Sequence, residues 1–385
     1  MKIAFVSNFY NHHQKPLADE LYSIVGDGYR FIETSKISEE RLKLGWGRDE
    51  KPPYVLQNYT DQTAKENCQR IIDEADVVII GGAPKSLIET RLKNKKLTFY
   101  YSERIYKKQP ALYKYPVHLL RNLKNVIPHK NLYVLCASAY TSADYARIFT
   151  FRNKAYKWGY FTAVREYDDV DALIEKKTKN SILWTARFID WKHPEHAVEV
   201  AKRLKADGYA FTLNMIGNGE LEEQTKELVE KENLSDCVRL LGSMKPEEVR
   251  EHMEKSEIFL FTSDRNEGWG AVANESMNSA CAVVANSAIG SVPFLIKDGE
   301  NGYMYKDGDV DEIYSKVKKL LDNAEERKRL SKNAYKTMTD EWNPKNAAKK
   351  LVKLSETMLE GEYKPFPFAD GVCSRADKLS DNWYR

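Results

Sequence analysis

Glu267 and Glu275 lie eight positions apart in Ser263-Asp-Arg-Asn-Glu-Gly-Trp-Gly-Ala-Val-Ala-Asn-Glu-Ser-Met-Asn278. Ionised carboxylates accept hydrogen bonds from hydroxyls, so such a pair suits a polyol such as a sugar or a ribose. Between them, Gly268 and Gly270 loosen the backbone, and Ala271 to Ala280 has the small and apolar spacing of a packed helix. A glycine turn running into a helix start leaves backbone N–H groups unpaired, and those groups attract phosphate. The amides around Gly268, Gly270, Ala271 and Val272 are the candidates. A second set is cationic. Arg187 and Lys192 follow the apolar run Ser181-Ile-Leu-Trp184, and two fixed cations at the top of a sheet suit a diphosphate, Arg by its planar fork and Lys as a point charge.

The elements that must position these residues read as an α/β chain. Ile258-Phe-Leu-Phe-Thr262 is an apolar run of buried parallel-strand type, directly ahead of the Glu267 loop. Strands are also expected at Lys2–Val6, Val77–Ile80, Leu97–Tyr101, Leu132–Cys136, Ser181–Trp184, Phe211–Ile216, Val238–Gly242 and Ala282–Ala285. Helices are expected near Leu17–Val25, Ala143–Phe149, from His193, from Pro246, over Asp309–Leu321 and over Trp342–Met358. In a doubly wound sheet the loop after the first strand faces the ligand crevice. Here that loop holds Tyr10, His12, His13 and Gln14. The interval Tyr160 to Lys179, rich in charge, reads as an interdomain linker.

The unit Glu-Gly-Trp-Gly-…-Asn-Glu-Ser-Met, with Glu267 and Glu275 bracketing it, resembles the nucleotide-sugar motif of the family-4 retaining glycosyltransferases. The resemblance runs well from about 181 to 345 and thinly over 1 to 160. It implies a GT-B fold: two Rossmann-like domains facing across a cleft. The expected domains are 1–165 (acceptor), 166–345 (nucleotide sugar) and 346–385, a final helix and tail returning toward the first. By resemblance, Arg187 and Lys192 stabilise the departing nucleoside diphosphate, Glu275 holds the ribose and Glu267 the donor sugar. Gly217-Asn-Gly219 matches the family's second glycine turn, and the backbone at Ser243 and Met244 lies beside the base. The order of elements also points to Glu103 or Arg104 near the reacting carbon. The chain departs from the family in having no glycine in its first strand-to-helix loop, where by resemblance Tyr10, His12, His13 and Gln14 are expected to shape an acceptor pocket instead.

The resemblance implies transfer of a sugar, with retention, from a nucleoside-diphosphate sugar (UDP favoured) to a hydroxyl of a glycan or lipid-linked acceptor in surface polysaccharide biosynthesis. A nucleotide-sugar 2-epimerase of the same fold and a non-catalytic nucleotide-sugar-binding scaffold are the alternatives. Asp169-Val-Asp171 and Asp307-Gly-Asp309 have the letters of a metal-holding Asp-x-Asp but lie far in order from the phosphate turns. With Arg187 and Lys192 present, neither a metal nor another cofactor is expected.

Composition sets outer bounds. The 385 residues suffice for two cores, and 42% apolar with 30% charged residues is ordinary for a soluble enzyme. A net charge of +3 gives no reason to expect a nucleic-acid partner. Five scattered cysteines without metal spacing fit reduced thiols in the cytoplasm. Met-Lys-Ile-Ala-Phe-Val lacks a signal peptide's apolar region, and no run reaches the roughly 20 apolar residues of a membrane span. Residues 104 to 130 carry seven Lys or Arg, no acid, and interleaved tyrosines, a composition that fits plain solvated helix faces as well as peripheral contact with the inner face of a membrane.

Overall fold

The computed structural model describes residues 1–39, 51–107, 116, 117, 119, 120, 122, 126–361 and 367–384. About half of the basic 104–130 segment, including all of 108–115, lies outside them. The chain divides into two compact units. One comprises Met1–Ala163 with Trp342–Ser380, the other Val164–Glu341 with Asp381–Arg385.

The first unit is built on a seven-stranded sheet of order β3-β2-β1-β4-β5-β6-β7. Its strands are β1 (Ile3–Ser7), β2 (Tyr29–Glu33), β3 (Val55–Gln57), β4 (Val77–Ile80), β5 (Thr98–Ser102), β6 (Leu132–Cys136) and β7 (Ala155–Lys157). Every pairing is parallel. A parallel strand covered on both faces must be apolar throughout, and β4, Val-Val-Ile-Ile, is fully buried. Arg91 is buried at the edge of this core. Its guanidinium donates to the carbonyls of Ile72 (3.0 Å), Ala75 (2.5 Å), Asp76 (2.8 Å) and Leu97 (2.6 Å), so it pins a helix end to a strand start. The helix Pro344–Leu359 belongs to this unit and packs against the helix Lys15–Val25. The later residues do too: Cys373 donates its N–H to the Lys157 carbonyl (2.8 Å), and Tyr156 bridges Arg375 antiparallel at the edge beyond β7. Val372 and Cys373 are fully buried.

The second unit has a six-stranded parallel sheet of order β10-β9-β8-β11-β12-β13. The strands are β8 (Thr178–Thr185), β9 (Thr212–Ile216), β10 (Val238–Leu240), β11 (Ser256–Phe261), β12 (Ala282–Asn286) and β13 (Tyr303–Tyr305). Ile182, Trp184, Leu213, Met215, Ile258, Leu260 and Val284 join Ala197, Val200, Ala201 and Leu204 of the helix Pro194–Ala206 in one core. That helix shows the inward stripe its spacing predicts. A buried lysine ties the far end together: Lys177 Nζ lies within 2.9–3.1 Å of the carbonyls of Met253, Glu254, Ser256 and Ser279.

Both sheets reverse their winding once, at β1/β4 in the first unit and at β8/β11 in the second. In open α/β sheets such a switch point leaves a crevice at the strands' carboxyl ends, where the two diverging connections cannot cover it.

The expected linker over 160–179 is interrupted by a helix. Val170–Glu175 is capped by the Asp169 side chain, which accepts from the Ala172 N–H at 3.0 Å. The interior strand β2 and the short edge strands β3 and β7, absent from the expected set, gain their ladder hydrogen bonds from neighbours distant in sequence.

Candidate nucleotide-sugar site

The second unit's switch point carries the cations and one of the two glutamates. Arg187 and Lys192 sit on the loop after β8, and Glu267 sits on the loop after β11. The two loops are bonded together. Asp264 donates its N–H to the Trp191 carbonyl at 3.0 Å, and Thr262 Oγ1 donates to the Lys192 carbonyl at 2.6 Å. Thr262 Oγ1 in turn accepts from the buried Trp184 indole at 2.7 Å. Lys192 Nζ forms an ion pair with Glu267, each side chain only 12% exposed. Trp191 lies between the cations in sequence and under both: its ring centroid is 4.3 Å from Lys192 Nζ and 6.0 Å from the Arg187 guanidinium carbon. Arg187 itself is exposed. Positive charge at this rim is therefore held on an aromatic platform.

Gly270 occupies the left-handed region, with φ 85°. A Cβ there would stand 2.5 Å from the Phe261 ring and 3.1 Å from Glu267 Cγ, so the turn can close only around glycine. The helix Ala271–Asn278 starts immediately after it, placing the first-turn amides of Ala271 and Val272 at the loop's end. Trp269 turns inward, fully buried, with its indole N–H on Asn274 Oδ1 at 2.8 Å. Gly290 and Ser291 donate to the carbonyls of Glu267 (3.2 Å) and Trp269 (3.2 Å), so a third loop, after β12, holds the turn from outside.

Glu275 lies on that helix and is half-buried. Its carboxyl makes no hydrogen bond among the described residues. Burial pushes it up to about 7, against the opposing pull of Arg250 and Arg165. Arg250 is buried beside it with Nη2 on Asn278 Oδ1 at 2.7 Å. A carboxyl left without donors is an acceptor waiting for hydroxyls.

The second glycine turn is also a packing necessity. Gly217 and Gly219 follow β9 with φ 143° and 155°. A Cβ on Gly217 would fall onto the Ala186 carbonyl oxygen, and one on Gly219 onto that of Phe188. These glycines let the turn press against the loop carrying Arg187. Gly217 N–H bonds the Gly242 carbonyl at 2.9 Å, bringing the exposed Ser243 and half-buried Met244 alongside. Gly217→Ala is expected to cost about 3 kcal/mol, lowering the melting temperature by roughly 6–12 °C. Calorimetry of the purified variant checks this, and an unchanged midpoint would contradict the contact.

Three positions escaped the sequence reading. Trp191, His193 and Asp264 all lie in these loops, and position after a strand's carboxyl end was the one signal for them. Burial and the neighbouring charges place His193 between two acids: Nδ1 is 2.8 Å from Glu195 Oε1 and Nε2 is 3.6 Å from Asp264 Oδ2. Asp264 foremost, then Glu195, pushes its imidazolium up to about 10.

Among the described residues, one group has metal-ligand atoms close together: His193, Glu195 and His196, within 4.8 Å of one another. The two imidazoles stack at 4.6 Å and 10° between planes. Their in-plane lone pairs thus run in parallel planes, and one ion cannot lie in line with both. The Asp-x-Asp candidates have local employment. Asp171 pairs with Lys332, Asp307 accepts from Asn286 Nδ2 at 2.6 Å, and Asp309 caps the helix Val310–Asp322.

In the first unit, His12 and His13 lie after β1 at the switch point, rings 3.8 Å apart. Burial, then His12, pulls His13 down to about 3, so it stays neutral. Glu103 follows β5 and is held by Tyr160 Oη (2.6 Å) and Lys107 (2.7 Å). Arg104 is a correction to the acceptor-side expectation. It is 3% exposed, ion-paired with Asp144 at 3.2 Å and over the Tyr140 ring at 4.7 Å, so it braces the loop from inside.

Residues 168–337 match the family model "Glycosyl transferases group 1". The class so defined is a chain of two parallel-sheet Rossmann-like units, the GT-B fold, with the match to that family model lying in the second unit. The chain is similar to the amylovoran biosynthesis glycosyltransferase AmsK of Erwinia amylovora, 28% identical over 182 residues, 46% of this chain and 44% of that protein. It thus spans under half the length of that curated relative. Its fold is similar to that of Anabaena HepE solved in complex with UDP, TM-score 0.67 at 13% identity, covering 93% of this chain and 100% of that one. It is also similar to sucrose-phosphate synthase from Thermosynechococcus elongatus, TM-score 0.65 at 15% identity, with coverages of 94% and 100%. Among the described residues no helix is long and apolar enough to cross a membrane.

Proposed function

We propose that this chain is a retaining, metal-independent glycosyltransferase that moves a sugar from a nucleoside-diphosphate sugar, UDP-linked by preference, to a hydroxyl of a glycan or lipid-linked acceptor. The observation that carries this reading is the second unit's switch point. There Arg187, Lys192 and a helix start converge with Glu267, and Glu275 waits on the same helix without hydrogen-bond donors. The group 1 domain over the same residues supports it. So does the fold shared with a neighbour solved in complex with UDP. A role in polysaccharide biosynthesis is suggested by AmsK, named for amylovoran biosynthesis.

In this mechanism the leaving diphosphate develops charge as the glycosidic bond breaks. Arg187, Lys192 and the amides of Ala271 and Val272 stabilise that charge in place, which is worth most in a site already arranged for it. Glu275 receives the ribose hydroxyls, Glu267 a hydroxyl of the donor sugar, and the Gly217–Gly219 turn with Ser243 and Met244 borders the nucleoside. The acceptor side is assigned to the first unit's His12, His13 and Glu103.

The test is a thermal-shift screen of UDP, GDP, ADP and their sugars, with and without EDTA. A ligand that binds only the folded state raises the melting point by mass action. Stabilisation by one diphosphate, unchanged by EDTA, is the expected result. No shift with any nucleotide overturns the reading, and a shift abolished by EDTA overturns its metal-independent part.

A further inference from the structure

We infer that His193 is a positioning residue that fastens the loop carrying Lys192 to the loop carrying Glu267. The inference rests on the donor-site reading above for the meaning of those two loops, though the contact itself does not.

His193 stands where local chemistry disfavours it. Its backbone is left-handed, φ 50° and ψ 57°, and Pro194 follows. Glycine takes that conformation without strain, a β-carbon raises its energy, and a following proline restricts the residue further. A non-glycine residue persists in such a place when its side chain repays the strain. Its imidazole is clamped between Glu195 and Asp264 and stacked on His196 at 4.6 Å. Glu195 and His196 belong to the first turn of the following helix, so one side of the clamp is local. Asp264 is not local.

Asp264 is the hub of the other loop. Its Oδ1 accepts from Asn266 N–H at 2.7 Å and from Asn266 Nδ2 at 2.9 Å. Its carbonyl accepts from the Glu267 N–H at 3.0 Å, and its own N–H reaches the Trp191 carbonyl. The cationic imidazole therefore holds the carboxylate that folds the turn presenting Glu267, one residue away from the lysine that pairs with Glu267. Removing it leaves both reactive side chains and the backbone ties between the loops in place, but frees the Asp264 carboxylate that shapes the Glu267 turn.

The variants are His193→Gly, which removes the clamp and suits the left-handed backbone, and His193→Asn, which tolerates that backbone and can donate to Asp264. His193→Gly is expected to lower kcat about 10- to 100-fold, the scale of misplacing a catalytic group. Donor KM and nucleoside diphosphate affinity should stay near wild type, and His193→Asn should recover part of the loss. Asp264→Asn should cost as much as His193→Gly, with little added in the double variant, because the two act as one contact. Hydrogen exchange supplies a readout independent of any reaction: the amides of Asn266 and Glu267 should exchange faster in His193→Gly than in wild type. Equal exchange in the two proteins, or additive losses in the double variant, overturns the inference. If the wild-type protein binds no nucleoside diphosphate, the donor-site reading fails, while faster exchange in the variant still upholds the clamp.

Discussion

Replacing Lys192 with Met is expected to lower turnover by about 10²–10³-fold, the usual cost of removing one preorganised donor to developing charge. Met keeps the aliphatic stem against Trp191, where Nζ now sits 4.3 Å from the ring, and deletes only the ammonium. The same change strips Glu267 of its ion-pair partner in a setting where both side chains are 12% exposed. A mostly buried carboxylate without a counter-charge is costly, so the melting point should fall as well. Adding Glu267→Gln should restore stability but not turnover. The recovered melting point identifies the stranded carboxylate as the source of the stability loss. Because Glu267→Gln also removes the group proposed to hold the donor sugar, the leaving-group role is read from Lys192→Met alone. Initial rates at saturating donor, with melting curves for the single and double variants, decide it. Lys192→Met turning over within a few-fold of wild type would remove Lys192 from the leaving-group role.

Glu275→Gln should weaken nucleoside diphosphate binding by about 1.5–3 kcal/mol, one to two powers of ten in Kd, as expected when a charged acceptor loses its hydroxyl partners. The ligand-free variant, however, should be the more stable protein in mild alkali. Glu275 titrates near 7 in the fold against an ordinary 4.5. The folded state thus holds the proton more tightly than the unfolded chain. The stability this carboxyl contributes is complete below about 4.5 and is lost as the pH rises through about 7. Glutamine does not ionise and escapes that loss, so at pH 8 the variant should melt higher than wild type while shifting less with the diphosphate. Wild-type affinity should also strengthen as the pH rises through about 7, since hydroxyl donors need the carboxylate, and that slope should vanish in Glu275→Gln. A variant that melts lower at pH 8, or binds as tightly as wild type, contradicts the assignment. A side chain that weakens the empty fold and strengthens the loaded one belongs to a binding site.

Much of the architecture was legible because parallel strands advertise themselves. Val77–Ile80, Leu132–Cys136 and Ile258–Phe261 are apolar runs too short for helices, and each is a strand at or near its expected place. Not every short edge strand was legible, although Val238–Leu240 fell within its expected run. Val55-Leu-Gln57 and Tyr303-Met-Tyr305 have three residues each, and a single neighbouring strand supplies their pairing. The aspartates in Asp-x-Asp spacing show the opposite failure. Their letters suggest a metal, yet Asp169 and Asp309 cap helices, an everyday use that spacing alone does not distinguish.

By itself the sequence determined which chemistry the chain can hold. It has two glutamates around a glycine turn, two cations after a buried strand, and apolar runs that make parallel sheets, because residue type and short-range period act within a few residues of chain. Only the tertiary structure decided which of these groups meet. Lys192 and Glu267 are 75 positions apart and become an ion pair because β8 and β11 are neighbours across the sheet's switch point. Arg104, indistinguishable in sequence from an exposed cation, is sealed against Asp144 because packing of non-local elements excludes water there. No local signal reports that the Glu275 carboxyl is pushed up, since desolvation is set by what folds over a side chain and not by its neighbours in the chain.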